Sequence, residues 1–394
     1  MINQKNIKTI INNITMNNLT SKEMVYAAIK GTKLDHYPVH TAYVMLAHAD
    51  HWQELTGLPP VEYYKWLIGD PANHAPMYKL FAEKLPFDTF QPNSVYRSAE
   101  ERENMEVVVK NDKIYYHFKK KDTYQFMSHN IHENGLSGEL VEERTVFTKD
   151  DVKQKVIVQK AEDFIACGKN DFLDAAIKAV GDEKFIINGG ICNTFYASSW
   201  YVGLTNLYTL IFEEPVFIHY LSNRILEQSI ETIRAYAKAG GDAIYIDDAT
   251  STNDMISRGQ FEEFCLPYLI KAIDEIHRQG KLAYGIYFGG IDDRADLIAS
   301  AGYDMVLMET SMKGFVNDYD AIYKKMGGKV CLLGNLNPYD DIELKSDQEL
   351  FDTIKKQVEA GRNCGKFISS TGSPLTPGTS IQRIRKFIDY AHQA

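Results

Sequence analysis

From about residue 150 to the end, the chain alternates short apolar runs with segments of helical length. The runs are KFIING (184–189), DAIYID (242–247), KLAYGI (281–286), YDMVLME (303–309), KVCLLG (329–334) and KFISST (366–371). Helices are expected between them, for example over 259–279 and 291–300. Two more strands are expected near 38–44, in YPVHTAYVM, and near 87–91. Apolar strands joined by helices imply a parallel sheet, and eight such units imply an α/β fold closed as a (β/α)8 TIM barrel. A doubly wound sheet is the runner-up, weakened because no G-x-G-x-x-G follows an early strand.

The pattern changes in two places. TSKE (Thr20–Glu23) is a capping box that opens a helix running to about Gly31. The Asn-rich residues 1–19 before it read as an N-terminal arm or helical extension, leaving 20–394 as a single barrel domain. From about 104 to 148, MEVVVKNDKIYYHFKKKDTYQFMS alternates apolar and polar positions around an Asn111-Asp112 turn. That is a β-hairpin signature, and the segment is expected to be an insertion, with a role as a lid left open.

Composition narrows the class. The net charge is −10 and no basic block extends beyond HFKKKD (117–122), which argues against a nucleic-acid partner. No run approaches the ~18 apolar residues of a membrane span. The N-terminal stretch lacks the apolar centre of a secretory signal, and five scattered cysteines form no C-x-x-C pair, so reduced thiols in a cytoplasm are expected. The 24 tyrosines and 19 phenylalanines suit a pocket for a flat aromatic ligand as well as a core.

Active sites of such barrels lie at the C-terminal ends of the strands. The residues placed there are His40 and Tyr43, the stretch 188–196, Asp247 and Asp248, Tyr287, Glu309, Asn335, and 371–373. His48 and His51 fall in a helical stretch and are expected to be structural, while the two histidines of SHNIH (128–132) either reach over the mouth or lie in solvent.

GGDAIYIDDAT (240–250), FEEFCLPYL (261–269), GNLNP (334–338) and STGSPLTPGTS (370–380) resemble the uroporphyrinogen decarboxylase superfamily, which includes the corrinoid-linked methyltransferases. TSKEMVYAAIKGTKLDHYPV (20–39) is similar to the opening helix and first strand of that family. Two departures matter. Decarboxylase members hold a polycarboxylate tetrapyrrole with arginines near the first strand, whereas residues 37–52 contain neither arginine nor lysine. Without counter-charges a buried polyanion is costly, so uroporphyrinogen is not the expected substrate. The thiol methyltransferases carry a zinc site whose three ligand positions match Ile286, Phe288 and Ser373, so the usual His-x-Cys…Cys set is absent and no metal ligands are assigned. Zinc held by oxygen and imidazole ligands instead (Asp248, Glu309, a histidine) stays open.

What remains resembles the first methyltransferase of anaerobic O-demethylase systems. The resemblance implies transfer of a methyl group from an aryl methyl ether of guaiacol or veratrol type to the cob(I)alamin of a separate corrinoid protein. No D-x-H-x-x-G corrinoid motif occurs in the chain, so the cobalamin is expected on the partner. An alkoxide or phenoxide leaves badly unless its oxygen is protonated, which calls for a carboxylic acid at the mouth. Asp248 aligns with an aspartate of the family pattern and is the favoured acid, with Asp247 as support and Glu309 approaching across the mouth. Tyr287 and Phe288 are expected to desolvate the pair and raise its pKa. His40, Tyr43, Asn193, Tyr196, Trp200, Phe288 and Asn335 are the expected substrate-binding residues, with a core role open for His40 and a loop-fixing role for Asn335. Alternatives are another methyl donor (alcohol, amine or thiol) or a non-catalytic binding barrel, and assembly as a homo-oligomer is left open.

Overall fold

The helix opened by Thr20 shows how directly local signals act. In the computed structural model, which describes residues 19–93, 97–127, 143–312 and 314–394, it spans Ser21–Lys30. Both halves of its capping box form, and Gly31 ends it at φ 74°. Residues 1–18 and the SHNIH histidines lie outside the described residues.

Among the described residues, eleven strands follow in chain order: β1 (Val39–His40), β2 (Thr89–Phe90), β3 (Met105–Lys110), β4 (Lys113–Phe118), β5 (Thr123–Met127), β6 (Phe185–Cys192), β7 (Ala243–Asp248), β8 (Leu282–Tyr287), β9 (Met305–Met308), β10 (Cys331–Leu333) and β11 (Phe367–Ser370). Eight of them pair in the order β1–β11–β10–β9–β8–β7–β6–β2. The pairings are parallel. At the seam, Asp88 N donates to Val39 O at 3.0 Å and Val39 N donates to the Asp88 carboxylate at 2.7 Å. The sheet thus closes into the expected (β/α)8 barrel.

Both faces of these strands are covered, as a parallel sheet requires. Ile244 and Ile246 of β7, for example, are buried on the helix-facing side. Helices such as Pro215–Ala239 and Ile381–Gln393 make that outer layer. The single helix expected over 259–279 is two, Arg258–Phe264 and Leu266–Arg278. Pro267 has no N–H to continue the ladder, so the helix restarts there. The first strand is also shorter than expected. Tyr43 adopts a left-handed backbone (φ 51°), which turns the chain into the helix Val44–Asp50.

β3, β4 and β5 form a separate antiparallel sheet, the insertion expected from the sequence. Asn111 and Asp112 both have positive φ (49° and 56°), the left-handed pair that a tight two-residue hairpin demands. Among the described residues, no helix is long and apolar enough to cross a membrane.

Candidate active site

One hydrogen-bonded bridge fixes which strand residues face the barrel interior. His40 Nδ1 lies 2.7 Å from Thr89 Oγ1, and its Nε2 lies 2.9 Å from the hydroxyl of Tyr284, on the far side of the barrel. Tyr284 therefore points inward. Its register partner on β7 is Tyr245; two residues on, Ile286 sits opposite Asp247 and Leu307. Side chains in register on neighbouring parallel strands share a face, so Asp247, Ile286 and Leu307 point inward, and Glu309 follows Leu307 on that side. Asp248, Tyr287 and Met308 share the opposite face, toward the helices.

This corrects the expected acid. Asp248 is fully buried and already saturated: it accepts from Asn193 Nδ2 at 2.6 Å, from Thr250 N at 3.1 Å, from Ser251 N at 3.0 Å, and from the Ser251 hydroxyl. Burial pushes its pKa up and these donors pull it back. It anchors the loop after β7. It does not meet Glu309 across the mouth, because the two lie on opposite faces of the sheet. Asn193 is likewise structural, since its Oδ1 caps the helix Thr194–Val202 by accepting from Phe195 N at 3.1 Å while its amide holds Asp248. Tyr287 packs edge-on against Tyr303, with centroids 6.1 Å apart, behind the barrel wall rather than in it.

Asp247, not Asp248, lies on the interior face of the barrel. It is half-buried at the rim of β7, beside Cys192 on β6, and its Oδ1 has no hydrogen-bond partner among the described residues. Desolvation raises its pKa to about 7; the adjacent Asp248 charge adds to the rise. The Tyr43 hydroxyl pulls in the other direction, although it falls short of hydrogen-bond geometry. A carboxyl of that pKa is part protonated at neutral pH, the property a general acid needs.

Aromatic rings surround it. Tyr43 contacts Tyr245 and Phe288, each with centroids 5.9 Å away. Tyr196 senses the Asp247 charge and has its phenol pushed up to about 12, chiefly by burial; Trp200 packs against it at 5.8 Å but is 47% exposed, at the outer edge of the site. Gly190 gives Tyr245 its room, since a Cβ there would lie 2.1 Å from the ring.

Two expected ligand contacts are otherwise occupied. Both His40 nitrogens are used in the bridge, and burial lowers its pKa to about 3, so it is a neutral core histidine. Asn335 fixes the loops after β9 and β10, donating to Asn317 O at 3.1 Å and reaching Glu309 O at 3.5 Å. Glu309 itself is 5% exposed. Ile286 faces the interior beside Asp247, and neither it nor Phe288 offers a metal a donor atom. Ser373 brings only a hydroxyl, so the thiolate–imidazole zinc set does not fit these residues. Among the described residues, no group of three histidine, cysteine or acidic side chains is placed to hold a metal.

Sequence reasoning placed Cys192 at the mouth within 188–196 but missed Tyr245 and Gln91. Tyr245 and Cys192 share the inward face with Asp247, and Gln91, just past β2, is 1% exposed with both amide atoms lacking a partner among the described residues. The alternation from Thr89 was the available signal for Gln91.

A (β/α)8 barrel with its ionisable groups at the strand ends is an enzyme architecture. The family model for uroporphyrinogen decarboxylase (URO-D) matches residues 140–394, and the chain belongs to that family. It is 23% identical over 387 residues to the chloroplastic uroporphyrinogen decarboxylase of Nicotiana tabacum, covering 93% of this chain and 91% of that one. With the uroporphyrinogen decarboxylase of Tolumonas auensis it shares 24% identity over 188 residues, 47% of this chain and 50% of that protein. Over several of these curated relatives the chain thus spans about half their length. Among solved structures, a methyltransferase from Methanosarcina mazei superposes with a TM-score of 0.66 at 15% identity, covering 95% of this chain and 99% of that chain, a likeness of fold.

Proposed function

We propose that this barrel transfers a methyl group from an aryl methyl ether to the cobalt(I) of a corrinoid carried by a separate protein. The observation that supports this reading best is the Asp247 carboxyl, with a pKa of about 7 among aromatic rings. The ether's C–O bond breaks with its electron pair going to oxygen, and Asp247 delivers the proton that lets a phenol leave rather than a phenoxide. The acceptor's cobalt(I) would supply the electron pair of the new cobalt–carbon bond and end as cobalt(III), so no outside oxidant or reductant is needed. The aromatic wall of Tyr43, Tyr245 and Phe288 suits the face of the departing ring. A polycarboxylate substrate is disfavoured, because residues 37–52 bring neither arginine nor lysine and the inward-facing Asp247 and Glu309 bring more negative charge.

The test is a donor screen with a reduced corrinoid protein, followed by the absorbance change of the corrinoid on methylation. Guaiacol- and veratrol-type ethers should be consumed, and Asp247→Asn should slow the transfer by about 10²–10⁴-fold while remaining folded. Methylation from methanol, methylamine or a thiol but from no aryl ether would replace the donor class. Binding of aromatic ligands with no transfer from any donor would leave a binding barrel.

A further inference from the structure

Four non-glycine residues among those described have a left-handed backbone, and three of them, Asn111, Asp112 and Asp122, lie in the turns of the inserted sheet. Short polar side chains tolerate that conformation. The fourth is Tyr43, a bulky residue strained at φ 51° and ψ 51°. No side-chain cap compensates, since the helix Val44–Asp50 starts there without one. What the turn achieves is an aim. It swings the ring from the end of β1 across the mouth, where its centroid lies 5.9 Å from those of Tyr245 and Phe288. Tyr245 stands two residues before Asp247 on the same face, and Phe288 N donates to Asp248 O at 2.9 Å, so these two rings flank Asp247.

The tip of Tyr43 is buried beside that carboxyl. Its hydroxyl is enclosed and has no hydrogen-bond partner among the described residues, and the same holds for Oδ1 of Asp247. Oδ2 is the Asp247 oxygen left accessible at the rim. Burial, and after it the Asp247 charge, holds the Tyr43 phenol well above its usual range, so it keeps its proton. Burial raises the Asp247 pKa, and the Tyr43 hydroxyl is the largest influence opposing that rise. Enclosed polar atoms are ordinarily paired, and a small rotation of either side chain pairs these two.

We propose that Tyr43 is a positioning residue whose hydroxyl donates to Oδ1 of Asp247, so that the carboxyl's proton sits on Oδ2 and faces the substrate. This rests on the methyl-transfer reading above. A carboxylate accepts a hydrogen bond more strongly than a neutral acid, so the bond tightens as the proton leaves Oδ2 for the ether oxygen. The step breaks the Oδ2–H and ether C–O bonds and forms the phenol O–H and cobalt–carbon bonds, with cobalt(I) supplying the pair for the last. Tyr43 keeps its own proton. Other ionisable groups face Asp247: Cys192 from β6, Tyr196 from the helix Thr194–Val202, Tyr284 from β8, and the adjacent Asp248. Glu309 stands on the same inward face two strands away. Burial keeps the thiol and both phenols protonated through neutral pH. All of these groups remain when the Tyr43 hydroxyl is removed, so their influence cancels in the comparison.

Tyr43→Phe deletes the hydroxyl and keeps the ring, with Tyr43→Met as the second variant should Phe not fold. Single-turnover methyl transfer from 2-methoxyphenol to a reduced corrinoid protein is followed from about pH 5.5 to 9.5. A carbon-13 NMR titration of the aspartate carboxyls runs beside it, the Asp247 signal being the one missing from Asp247→Asn. A hydrogen bond to the ionised form lowers a pKa. Its removal should therefore move the break in the rate profile up from about pH 7 by about one pH unit, a tenfold change in proton affinity. The rate below the break should fall by up to about tenfold, since the weaker acid is the poorer proton donor, with the half-saturating ether concentration within about twofold. A uniform loss of rate with the break unmoved, as a purely structural role would give, overturns the proposal, and so does a break that moves down. If the wild type transfers methyl from no ether, the methyl-transfer reading fails and the carboxyl titration alone decides. An Asp247 midpoint about one pH unit higher in the variants upholds the pairing, and an unchanged midpoint overturns it.

Discussion

Asp247→Asn should make the protein more stable at neutral pH and leave it unchanged in acid. Asn is nearly isosteric and cannot ionise. Folding moves the Asp247 carboxyl from its ordinary 3.8 to about 7. A pKa raised in the folded state means that the protonated form is favoured there. Its contribution is therefore intact below about pH 4 and is lost as pH rises toward 7. Each tenfold change in proton affinity is worth about 1.4 kcal/mol, which sets a ceiling of about 4 kcal/mol. Water at the open mouth screens the half-buried carboxylate, so a change of about 2 kcal/mol is the expected size. Urea unfolding of both proteins from pH 4 to pH 8 measures it. The variant's advantage should grow through pH 4–7 and then level off; any constant offset from the amide cancels in the comparison. Parallel curves, or an advantage that shrinks with pH, would refute the placement of Asp247 as a desolvated, uncompensated acid.

Other expectations follow from the same geometry. Asp248→Ala strands the Asn193 amide, two backbone N–H groups and the Ser251 hydroxyl in the interior, and should cost about 3 kcal/mol or more by urea unfolding; a loss below about 1 kcal/mol would contradict its anchoring role. His48, stacked on Phe81 at 4.4 Å, has a pKa lowered to about 3 by burial, so its contribution is present above about 6.5 and lost as pH falls. His48→Phe should therefore be near neutral at pH 8 and stabilising by about 2 kcal/mol at pH 5, with an equal effect at both pH values counting against it. Gly190→Ala should displace the Tyr245 ring, costing about 1–3 kcal/mol in thermal unfolding and weakening the binding of phenols; a silent variant would show that the ring has room to move.

The barrel was legible because its strands are apolar runs of strand length set between helical segments, and the capping box Thr20–Glu23 marked the start of the helix Ser21–Lys30. The direction of the mouth residues was not. In AIYIDD both faces carry apolar residues, so alternation gives no phase: Asp247 and Asp248 look alike until Tyr245 is seen opposite the inward Tyr284. The roles of His40 and Asn193 depended on partners far away in sequence, Tyr284 and Asp248, that only closure of the barrel brings near. The broken helix after Ser257 was signalled by Pro267 and overlooked beneath an otherwise continuous helical period.

The central claim is that a proton on Asp247 assists the departure of the ether oxygen, and the pH dependence of single-turnover methyl transfer from 2-methoxyphenol tests it most directly. The wild-type rate should fall above about pH 7 along a single titration, and that titration should vanish in Asp247→Asn. A wild-type rate that stays flat from pH 6 to 9, or an Asp247→Asn protein that matches the wild type in rate, would contradict the account.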